Sequence, residues 1–221
     1  MNWVSSNKEY YTAKRIKRWT IDYKLSSNND KNGNTTIASS TNTYAFNRSN
    51  FIIGGRTVKL DKATKQNVMR ILSCVYNNDK ITLDKLLAEG IDINISDADG
   101  RTALFYATSE GNHEYVKLLL EKGANVYCKD NSGYTPLHFA SQNFYVAIAK
   151  ILIEYGAVID ALDVNGNSPL SDAVFYSEGR GELINLLLSL GADRDLKNNY
   201  GVSPYELAES IANYEIKKFF D

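Results

Sequence analysis

Apolar residues recur along the chain in three segments that have the spacing of one helical face. The segments are Val116, Leu119 and Leu120, then Ala149, Leu152 and Ile153, then Ile184, Leu187 and Leu188. Residues three and four apart lie on the same side of an α-helix, so each set predicts an amphipathic helix. A Gly-Ala pair follows each helix, at 123–124, 156–157 and 191–192. The glycine predicts a helix C-cap, because it adopts positive φ without a steric penalty.

Two series of glycines repeat with the same period. The first series is Gly90, Gly123, Gly156 and Gly191, and the second is Gly100, Gly133, Gly166 and Gly201. In both series the spacings are 33, 33 and 35 residues, which indicates a tandem array. The longer last spacing predicts two extra residues within 176–182, between the helices of the fourth unit. This loop is either a tolerated insertion or a longer loop at the edge of a binding surface.

A turn with a Ser or Thr, mostly followed by Pro, precedes the first helix of each unit. The motifs are Thr102-Ala103-Leu104, Thr135-Pro136-Leu137-His138, Ser168-Pro169-Leu170 and Ser203-Pro204-Tyr205. A hydroxyl side chain before a helix caps the first N–H groups, and Pro suits the first helical position. Each unit is therefore predicted to be a turn followed by two helices.

The period and these motifs together closely resemble the ankyrin-repeat family, whose Thr-Pro-Leu-His and Gly-Ala signatures stand at 135–138 and at the three Gly-Ala pairs. The resemblance covers residues 66–221 and implies an all-α solenoid of about five ankyrin repeats. A first repeat over 66–97 lacks the Thr-Pro motif and places Cys74 at the position of Ala107. Residues 1–65 do not share the resemblance, and we predict that they form a small basic N-terminal extension.

Within the extension, apolar and polar residues alternate over 19–25. This pattern puts Trp19, Ile21, Tyr23 and Leu25 on one face and predicts a half-buried strand. The basic segment 14–18 favours a short helix, and the Ser-, Asn- and Thr-rich segment 26–43 predicts a loop or flexible linker. Residues 51–60 predict a β-hairpin around a Gly-Gly turn at 54–55.

The balance of charged residues also differs between the extension and the array. Residues 1–65 contain 12 Lys/Arg and 4 Asp/Glu, whereas the remaining residues contain 13 and 22. Three interpretations of the extension stay open. It is a β element that covers the apolar side of the first repeat, a basic segment that contacts nucleic acid or an anionic membrane, or a disordered or wrongly included upstream segment.

Candidate catalytic and metal-binding residues are few. His113 and His138 are the only histidines, and Cys74 and Cys128 are the only cysteines. These residues lack the context of a nucleophile–base set and the spacing of a zinc site, and the glycine-rich segments lack the flanks of a phosphate loop. We predict a protein without catalytic activity, cofactor or metal. The resemblance implies that His138 bonds the backbone of a neighbouring repeat.

The compartment is predicted from what the sequence lacks. No stretch approaches the roughly 18 consecutive apolar residues that a membrane helix needs. The first eight residues have no apolar core of the signal-peptide kind, and the two cysteines lie 54 positions apart in different repeats. We therefore expect reduced thiols and a cytoplasmic protein.

The resemblance also implies where a partner binds, because ankyrin arrays use the turn tips and the exposed face of each first helix. The corresponding residues are Asp99, Arg101, Ser109, Glu110, Ser132, Tyr134, Gln142, Phe144, Tyr145, Asn165, Asn167, Phe175, Tyr176 and Tyr200, with Asn143 and Glu209 at their margin. Tyrosine is enriched among the residues that dominate binding energy. Tyr134 and Tyr200 are predicted to be exposed at turn tips, whereas Phe144 and Phe175 have packing between helices as an alternative role.

The expected function is non-enzymatic binding of another protein. Within the family, the segment 168–170 with the Gly-rich insertion, 198–204 and 211–214 resemble small stand-alone bacterial ankyrin proteins, several of which are immunity proteins encoded beside toxins. This suggests an inhibitor of a toxin, and the acidic array suits a basic partner such as a nuclease toxin domain. The alternatives are an effector or adaptor for another protein, and a nucleic-acid or membrane-surface adaptor that uses the basic segment. Of these partners, nucleic acid is disfavoured, because no reader motif accompanies the basic run.

Overall fold

The computed structural model describes residues 27–29, 35–39, 42–43, 51–53, 56–58, 62–211 and 215–220. The chain divides into two compact units, Met1–Ser49 and Asn50–Asp221. The domain boundary that the sequence predicts after residue 65 stays a prediction. The strand predicted over 19–25 and the helix predicted over 14–18 lie outside the described residues.

The described part of the first unit is a small antiparallel sheet. Its strands are β1 (Ser27–Asn29), β2 (Thr35–Ser39) and β3 (Asn42–Thr43), in the order β1-β2-β3. Ser27 of β1 pairs with Ile37, and Ala38 pairs with Thr43 of β3. The prediction of a loop over 26–43 is therefore wrong for these residues. The run Thr35-Thr36-Ile37 explains the difference, because β-branched side chains favour strands even in polar sequence.

The second unit begins with a β-hairpin. Its strands are β4 (Phe51–Ile53) and β5 (Arg56–Val58), and Ile53 pairs with Arg56 across a two-residue connection. The predicted hairpin at this position is confirmed. A connection of two residues is the commonest hairpin type.

Nine α-helices follow within the described residues. They are α1 (Lys62–Tyr76), α2 (Lys80–Ala88), α3 (Ala103–Ser109), α4 (His113–Glu121), α5 (Pro136–Gln142), α6 (Val146–Glu154), α7 (Pro169–Phe175), α8 (Glu182–Ser189) and α9 (Pro204–Ser210). A 3₁₀ turn, Lys217–Phe219, comes after them. The first helix starts at Lys62, four residues before the predicted start of the array.

The helices form a two-layer stack. The first helices α1, α3, α5, α7 and α9 each contact the next one in the series, and the second helices α4, α6 and α8 do the same. The predicted apolar face of the second helices is confirmed by Leu119, Leu152 and Leu187, which are fully buried. The expected all-α repeat solenoid is the fold of residues 62–211.

Side-chain caps begin most of the first helices, as the sequence predicts. The hydroxyl oxygens of Thr135 and Ser203 accept hydrogen bonds from the backbone N–H three residues later, at 3.4 and 3.2 Å, and Ser168 does the same. Thr102 is the exception, since α3 has no side-chain cap bond. Its hydroxyl lies 3.6 Å from the sulfur of Cys128, at the end of the same repeat. The capping prediction is wrong at this one position.

The longer fourth repeat carries its insertion where the sequence predicts it. Residues 176–181 connect α7 and α8, whereas the equivalent loop between α5 and α6 spans 143–145. Ser177 in this loop is buried, and the Arg180 guanidinium lies over the Phe144 ring, 4.2 Å from its centroid. The insertion is thus packed on the preceding repeat.

The residues around the 3₁₀ turn cover the fifth repeat. The Arg194 guanidinium lies between two rings, 4.4 Å from the centroid of Tyr205 and 5.4 Å from that of Phe220. Phe220 is buried, and the Phe219 ring lies directly against Gly181 of the insertion. This segment shields the side of α9 that a further helix covers in the preceding repeats.

Candidate protein-binding surface

The turn tips owe their shape to one acidic or amide residue per repeat. At Asp130, the Oδ1 atom accepts hydrogen bonds from the backbone N–H groups of Ser132 at 2.9 Å and Tyr134 at 3.0 Å. The same pair of bonds recurs at Asp97, Asp163 and Asn198. These side chains supply hydrogen-bond acceptors for the backbone N–H groups of a tight turn. The residue therefore recurs in each repeat because it has a structural role.

Backbone hydrogen bonds join each tip to the next. The N–H of Asn131 donates to the carbonyl of Asp99 at 2.9 Å, and Val164 and Asn199 make the equivalent bonds to Ser132 and Asn165 at 3.0 Å. The tips therefore form one continuous row along the array. Side chains on this row are held at fixed spacing, which suits a surface that recognises a folded partner.

Residues of the first helices form a regular grid beside the tips. The helices α3, α5 and α7, each with the C-cap residue that follows it, contribute the same three positions. The rows are Tyr106, Phe139 and Asp172; Ser109, Gln142 and Phe175; and Glu110, Asn143 and Tyr176. We call these nine residues the helix face. Because neighbouring helices are in contact, each row runs from one repeat to the next.

Aromatic side chains dominate the contacts on and beside the helix face. Tyr76 and Tyr106 meet edge to face with centroids 5.9 Å apart, and Phe175 and Tyr176 do so at 5.0 Å. The Phe139 ring has Tyr134 at 6.0 Å. Such pairs are rigid and amphipathic, and aromatic residues of this kind are enriched at binding hot spots.

Arg101 is held in place at the start of this surface. Its guanidinium donates through Nε and Nη2 to Oδ2 of Asp130, both at 3.2 Å, and it lies over the Phe139 ring, 5.0 Å from the centroid. The carboxylate of Asp130 is almost fully buried, so water screens this pair weakly. The positive charge of Arg101 is thereby matched within the array.

Besides the acids that shape the turns, three carboxylates on this surface have no ion pair with any described residue: Asp99, Glu110 and Asp172. Partial desolvation raises the pKa of Glu110. Burial also raises the pKa of Asp172 well above its usual range, and the charge of Asp163 adds to this effect. An acid with a raised pKa and no cation beside it is a common feature of functional surfaces.

The structure places most of the residues predicted for the binding surface at or near the solvent. Asp99, Glu110, Ser132 and Tyr200 are exposed, and Arg101, Ser109, Tyr134, Gln142, Tyr145, Asn165, Phe175 and Tyr176 are partly exposed. Tyr200, with 55% of its area exposed, is the most accessible aromatic residue of the set. Tyr134 is less exposed than predicted, because its ring packs edge-on against His138 and Phe139.

Two predicted contact residues are buried, and the prediction fails for them. Phe144 occupies the loop between α5 and α6 with φ 60°, and Arg180 covers its ring. The alternative role of Phe144, packing between repeats, is the correct one. Asn167 is 7% exposed, and its side-chain oxygen accepts a hydrogen bond from Asn198 Nδ2 at 2.8 Å. Its amide thus belongs to the inter-repeat bonds of the tips.

The first row of the helix face was missed by the sequence analysis. Tyr106, Phe139 and Asp172 follow one another at a spacing of 33 residues, and aligning the repeats shows an acid after two aromatics. The alignment does not predict that Asp172 is buried. In the structure the side chain of Gln142, from the preceding repeat, donates a hydrogen bond to Asp172.

The residues considered for chemistry have structural roles. His138 is fully buried, and its Nδ1 accepts a hydrogen bond from the N–H of Thr135 at 3.1 Å. Its Nε2 therefore carries the proton and donates to the carbonyl of Asn167 at 3.1 Å, which confirms the predicted bond to a neighbouring repeat. Cys74 and Cys128 are free thiols, and burial raises the pKa of both. Among the described residues, no helix is long and apolar enough to cross a bilayer.

A separate apolar groove lies among the loops that follow the second helices. In these loops the side chain of Asp160 accepts a hydrogen bond from the backbone N–H of Asp193 in the next repeat at 3.1 Å. The side chain of Asn94 accepts an equivalent bond from the N–H of Asn125. Tyr127 and Val158 stand at the corresponding positions between the second and third repeats, and both are more than half exposed. They line a groove of about 130 Å³ together with Ala157 and Ala161, among others.

The family of the chain follows from these repeats. The family model described as ankyrin repeats (3 copies) matches residues 71–163 and 132–198. Together these residues make up more than half of the chain. The chain belongs to the ankyrin-repeat family. Members of this family are protein-binding modules, and this array is one of them.

One curated protein resembles part of the array. A stretch of 42 residues is 48% identical to the ADP-ribosylation factor GTPase-activating protein AGD4 of Arabidopsis thaliana. The stretch covers 19% of this chain and 5% of that protein. The similarity is therefore limited to about one repeat's length.

Proposed function

We propose that the chain binds a basic protein through the turn tips and the helix face, and that it acts in the cytoplasm as a toxin-neutralising inhibitor of the bacterial immunity type. The function needs no catalytic step. The observation that carries the proposal is the set of carboxylates without ion pairs, Asp99, Glu110 and Asp172, among aromatic side chains on one surface.

The charge distribution favours a basic partner. Residues 66–221 contain 13 Lys/Arg and 22 Asp/Glu. On the proposed surface the Arg101 charge is already matched by Asp130, whereas Asp99 and Glu110 are exposed acids without an ion pair among the described residues. Complementary charge speeds association and excludes partners of the same sign.

A nuclease toxin domain is a partner of suitable chemistry. A protein that binds a polyanionic nucleic acid presents Lys and Arg around its active site. An acidic, rigid array with tyrosines at its tips can cover that site and compete with the nucleic acid. This class of partner is supported by the resemblance of segment 168–170 with the Gly-rich insertion, 198–204 and 211–214 to small stand-alone bacterial ankyrin proteins, several of which are immunity proteins.

The first experiment identifies the partner by co-purification with the full chain and then compares two variants. Tyr134→Ala and Tyr200→Ala should each weaken binding by about 1–3 kcal/mol, as expected for interface aromatics. Ile81→Ala is the matched control, because Ile81 is exposed on α2, outside the tips and the helix face. If both tyrosine variants bind normally while changes in residues 8–25 or 51–60 abolish binding, the extension is the recognition element.

The inhibitory role needs a separate test. Co-expression of the chain with the product of a neighbouring toxin gene should restore growth, and Tyr200→Ala should reduce that protection. Binding without protection would favour the effector or adaptor interpretation.

The nucleic-acid alternative is tested by titrating the full chain into labelled DNA and RNA over a salt series. We expect only weak, salt-sensitive binding. Tight binding at physiological salt that disappears when Lys14, Arg15, Lys17 and Arg18 are neutralised would replace our proposal.

A further inference from the structure

Asp172 is a carboxylate where the two preceding repeats have aromatic rings. It lies in α7 at the position of Tyr106 in α3 and Phe139 in α5, and it is 6% exposed. The array accommodates a ring at this position twice, so the solenoid itself does not require an acid there. A buried carboxylate is costly unless it is hydrogen-bonded or paired, which calls for another explanation.

The carboxylate is only partly satisfied within the array. Gln142 Nε2 donates to its Oδ2 at 3.1 Å, and this is its one side-chain hydrogen bond among the described residues. Its Oδ1 has no donor there, and it is not one of the sealed, unbonded polar atoms of the interior, which are Thr108 Oγ1 and Ser141 Oγ. Oδ1 therefore keeps some contact with solvent and accepts no hydrogen bond from a described residue.

The surroundings suit a planar cation. Phe175 and Tyr176 lie three and four residues after Asp172 and thus on the same side of α7, and they form an edge-to-face pair with each other. Aromatic faces attract guanidinium groups, as Arg101 over Phe139 and Arg180 over Phe144 show within this chain. A guanidinium can donate to a carboxylate and stack on a ring at once, whereas an ammonium acts as a point charge.

We propose that Asp172, with Gln142 and Phe175, forms the binding site for an arginine side chain of the protein partner. This inference rests on the proposed function, in which the helix face contacts a basic protein. The arginine donates to the Oδ1 atom of Asp172 that has no partner within the array, and its plane lies against the aromatic residues of α7. The burial of Asp172 then strengthens the contact, because water does not screen it.

The probe for this site is N-acetyl-arginine amide, with N-acetyl-citrulline amide as its uncharged isostere. Titration of the full chain, followed by amide NMR shifts, should show saturable changes around Asp172, Gln142 and Phe175 for the arginine probe. The citrulline probe should bind at least about tenfold more weakly, since it lacks the charge-assisted bond. Equal shifts with both probes would overturn the inference.

Two variants test whether the arginine probe binds at Asp172. Asp172→Asn keeps the shape of the side chain and should reduce arginine binding about tenfold or more. Glu154→Gln, which removes an exposed acid of α6 outside the tips and the helix face, should leave it unchanged. If Glu154→Gln weakens binding as much as Asp172→Asn does, the contact is diffuse electrostatics and the assigned site is wrong.

The same variants separate this inference from the proposed function once a partner is identified. Loss of binding in Tyr200→Ala but not in Asp172→Asn would overturn the arginine site alone. Unchanged binding in both variants would overturn the surface as a whole.

Discussion

The Nε2 atom of His138 in the third repeat lies 3.1 Å from the carbonyl oxygen of Asn167 in the fourth. Because Nδ1 accepts from the N–H of Thr135, the imidazole joins a helix N-terminus to the next repeat only when it is neutral. Burial lowers the pKa of His138 to about 4. Protonation would leave a positive charge in the core and break the capping box of α5.

This arrangement predicts that acid destabilises the array before its carboxylates titrate. Below an unfolded pKa of about 6.5 the unfolded chain binds a proton at this histidine that the folded chain excludes. The free energy of unfolding should therefore fall from pH 6.5 to pH 5, by up to about 1.4 kcal/mol for each pH unit. Asp172 opposes this trend, because its raised pKa stabilises the fold at low pH and that contribution is lost as the pH rises.

The measurement is urea unfolding at several pH values in the Asp172→Asn background, which removes the most strongly shifted of the opposing carboxyls; the pKa values of Glu110 and Asp160 are also raised, by partial burial. Adding His138→Gln should abolish the slope between pH 6.5 and pH 5, because glutamine can donate to Asn167 but does not titrate. A stability that does not change with pH in the Asp172→Asn variant would contradict the assignment of a neutral, buried histidine.

The second prediction concerns the apolar stack of the second helices. Leu119 on α4 is fully buried, so Leu119→Ala should lower the free energy of unfolding by about 2–5 kcal/mol through the cavity that it leaves. Ile81→Ala removes a side chain that is 71% exposed and should change stability by less than about 0.5 kcal/mol. Equal effects in thermal or urea unfolding would mean that the repeats do not share one core.

The periodic part of this fold could be predicted from sequence because each repeat is built from the same local interactions. The Gly-Ala pairs, the Ser/Thr-Pro motifs and the leucines at Leu119, Leu152 and Leu187 depend on neighbours within one repeat or at one fixed spacing. The failures occurred where a side chain distant in sequence decides the outcome. Thr102 turns to Cys128 instead of capping α3, and Phe144 is buried because Arg180 covers it.

The positions that make up the candidate surface could be predicted from the sequence, whereas the burial and hydrogen bonding of Asp172 could not. The family positions identified the tips and two of the three rows of the helix face. The first row was overlooked, although Asp172 is visible in an alignment of the repeats, because an acid in a helix is ordinarily solvated. Its burial and its single bond to Gln142 arise from the packing of α5 against α7, which no local pattern encodes.

The third prediction uses the backbone of Phe144. Its φ of 60° is in the left-handed region, which costs a non-glycine residue about 1–2 kcal/mol, and the buried ring offsets this cost. Phe144→Ala loses the ring but keeps the strain, whereas Phe144→Gly loses both. The glycine variant should therefore be more stable than the alanine variant by about 0.5–1 kcal/mol, after allowing for the entropy of glycine in the unfolded chain.

Ala147 provides the matched control for that comparison. It is exposed within α6, where Ala147→Gly should destabilise the protein by about 1 kcal/mol. The preference between alanine and glycine is thus expected to reverse over three residues. Urea unfolding that ranks alanine above glycine at both positions would rule out backbone strain at Phe144.

The last prediction concerns the contact between the 3₁₀ turn and the insertion. Gly181 has a φ of −112°, which any residue adopts, so a substitution there is limited by space alone. A Cβ atom at Gly181 would overlap the ring of Phe219. Gly181→Ala should therefore lower the free energy of unfolding by about 1–3 kcal/mol, as overpacked sites do.

A double-mutant cycle separates this overlap from other effects of the added methyl group. Phe219→Ala alone should destabilise the protein because the ring loses its contact with the insertion. In the Phe219→Ala background, Gly181→Ala should have less than about 0.5 kcal/mol of effect, since the space is then open and the residues no longer conflict. Additive losses in the double variant would mean that Phe219 does not lie on Gly181, and the packing of this segment on the fourth repeat would be wrong.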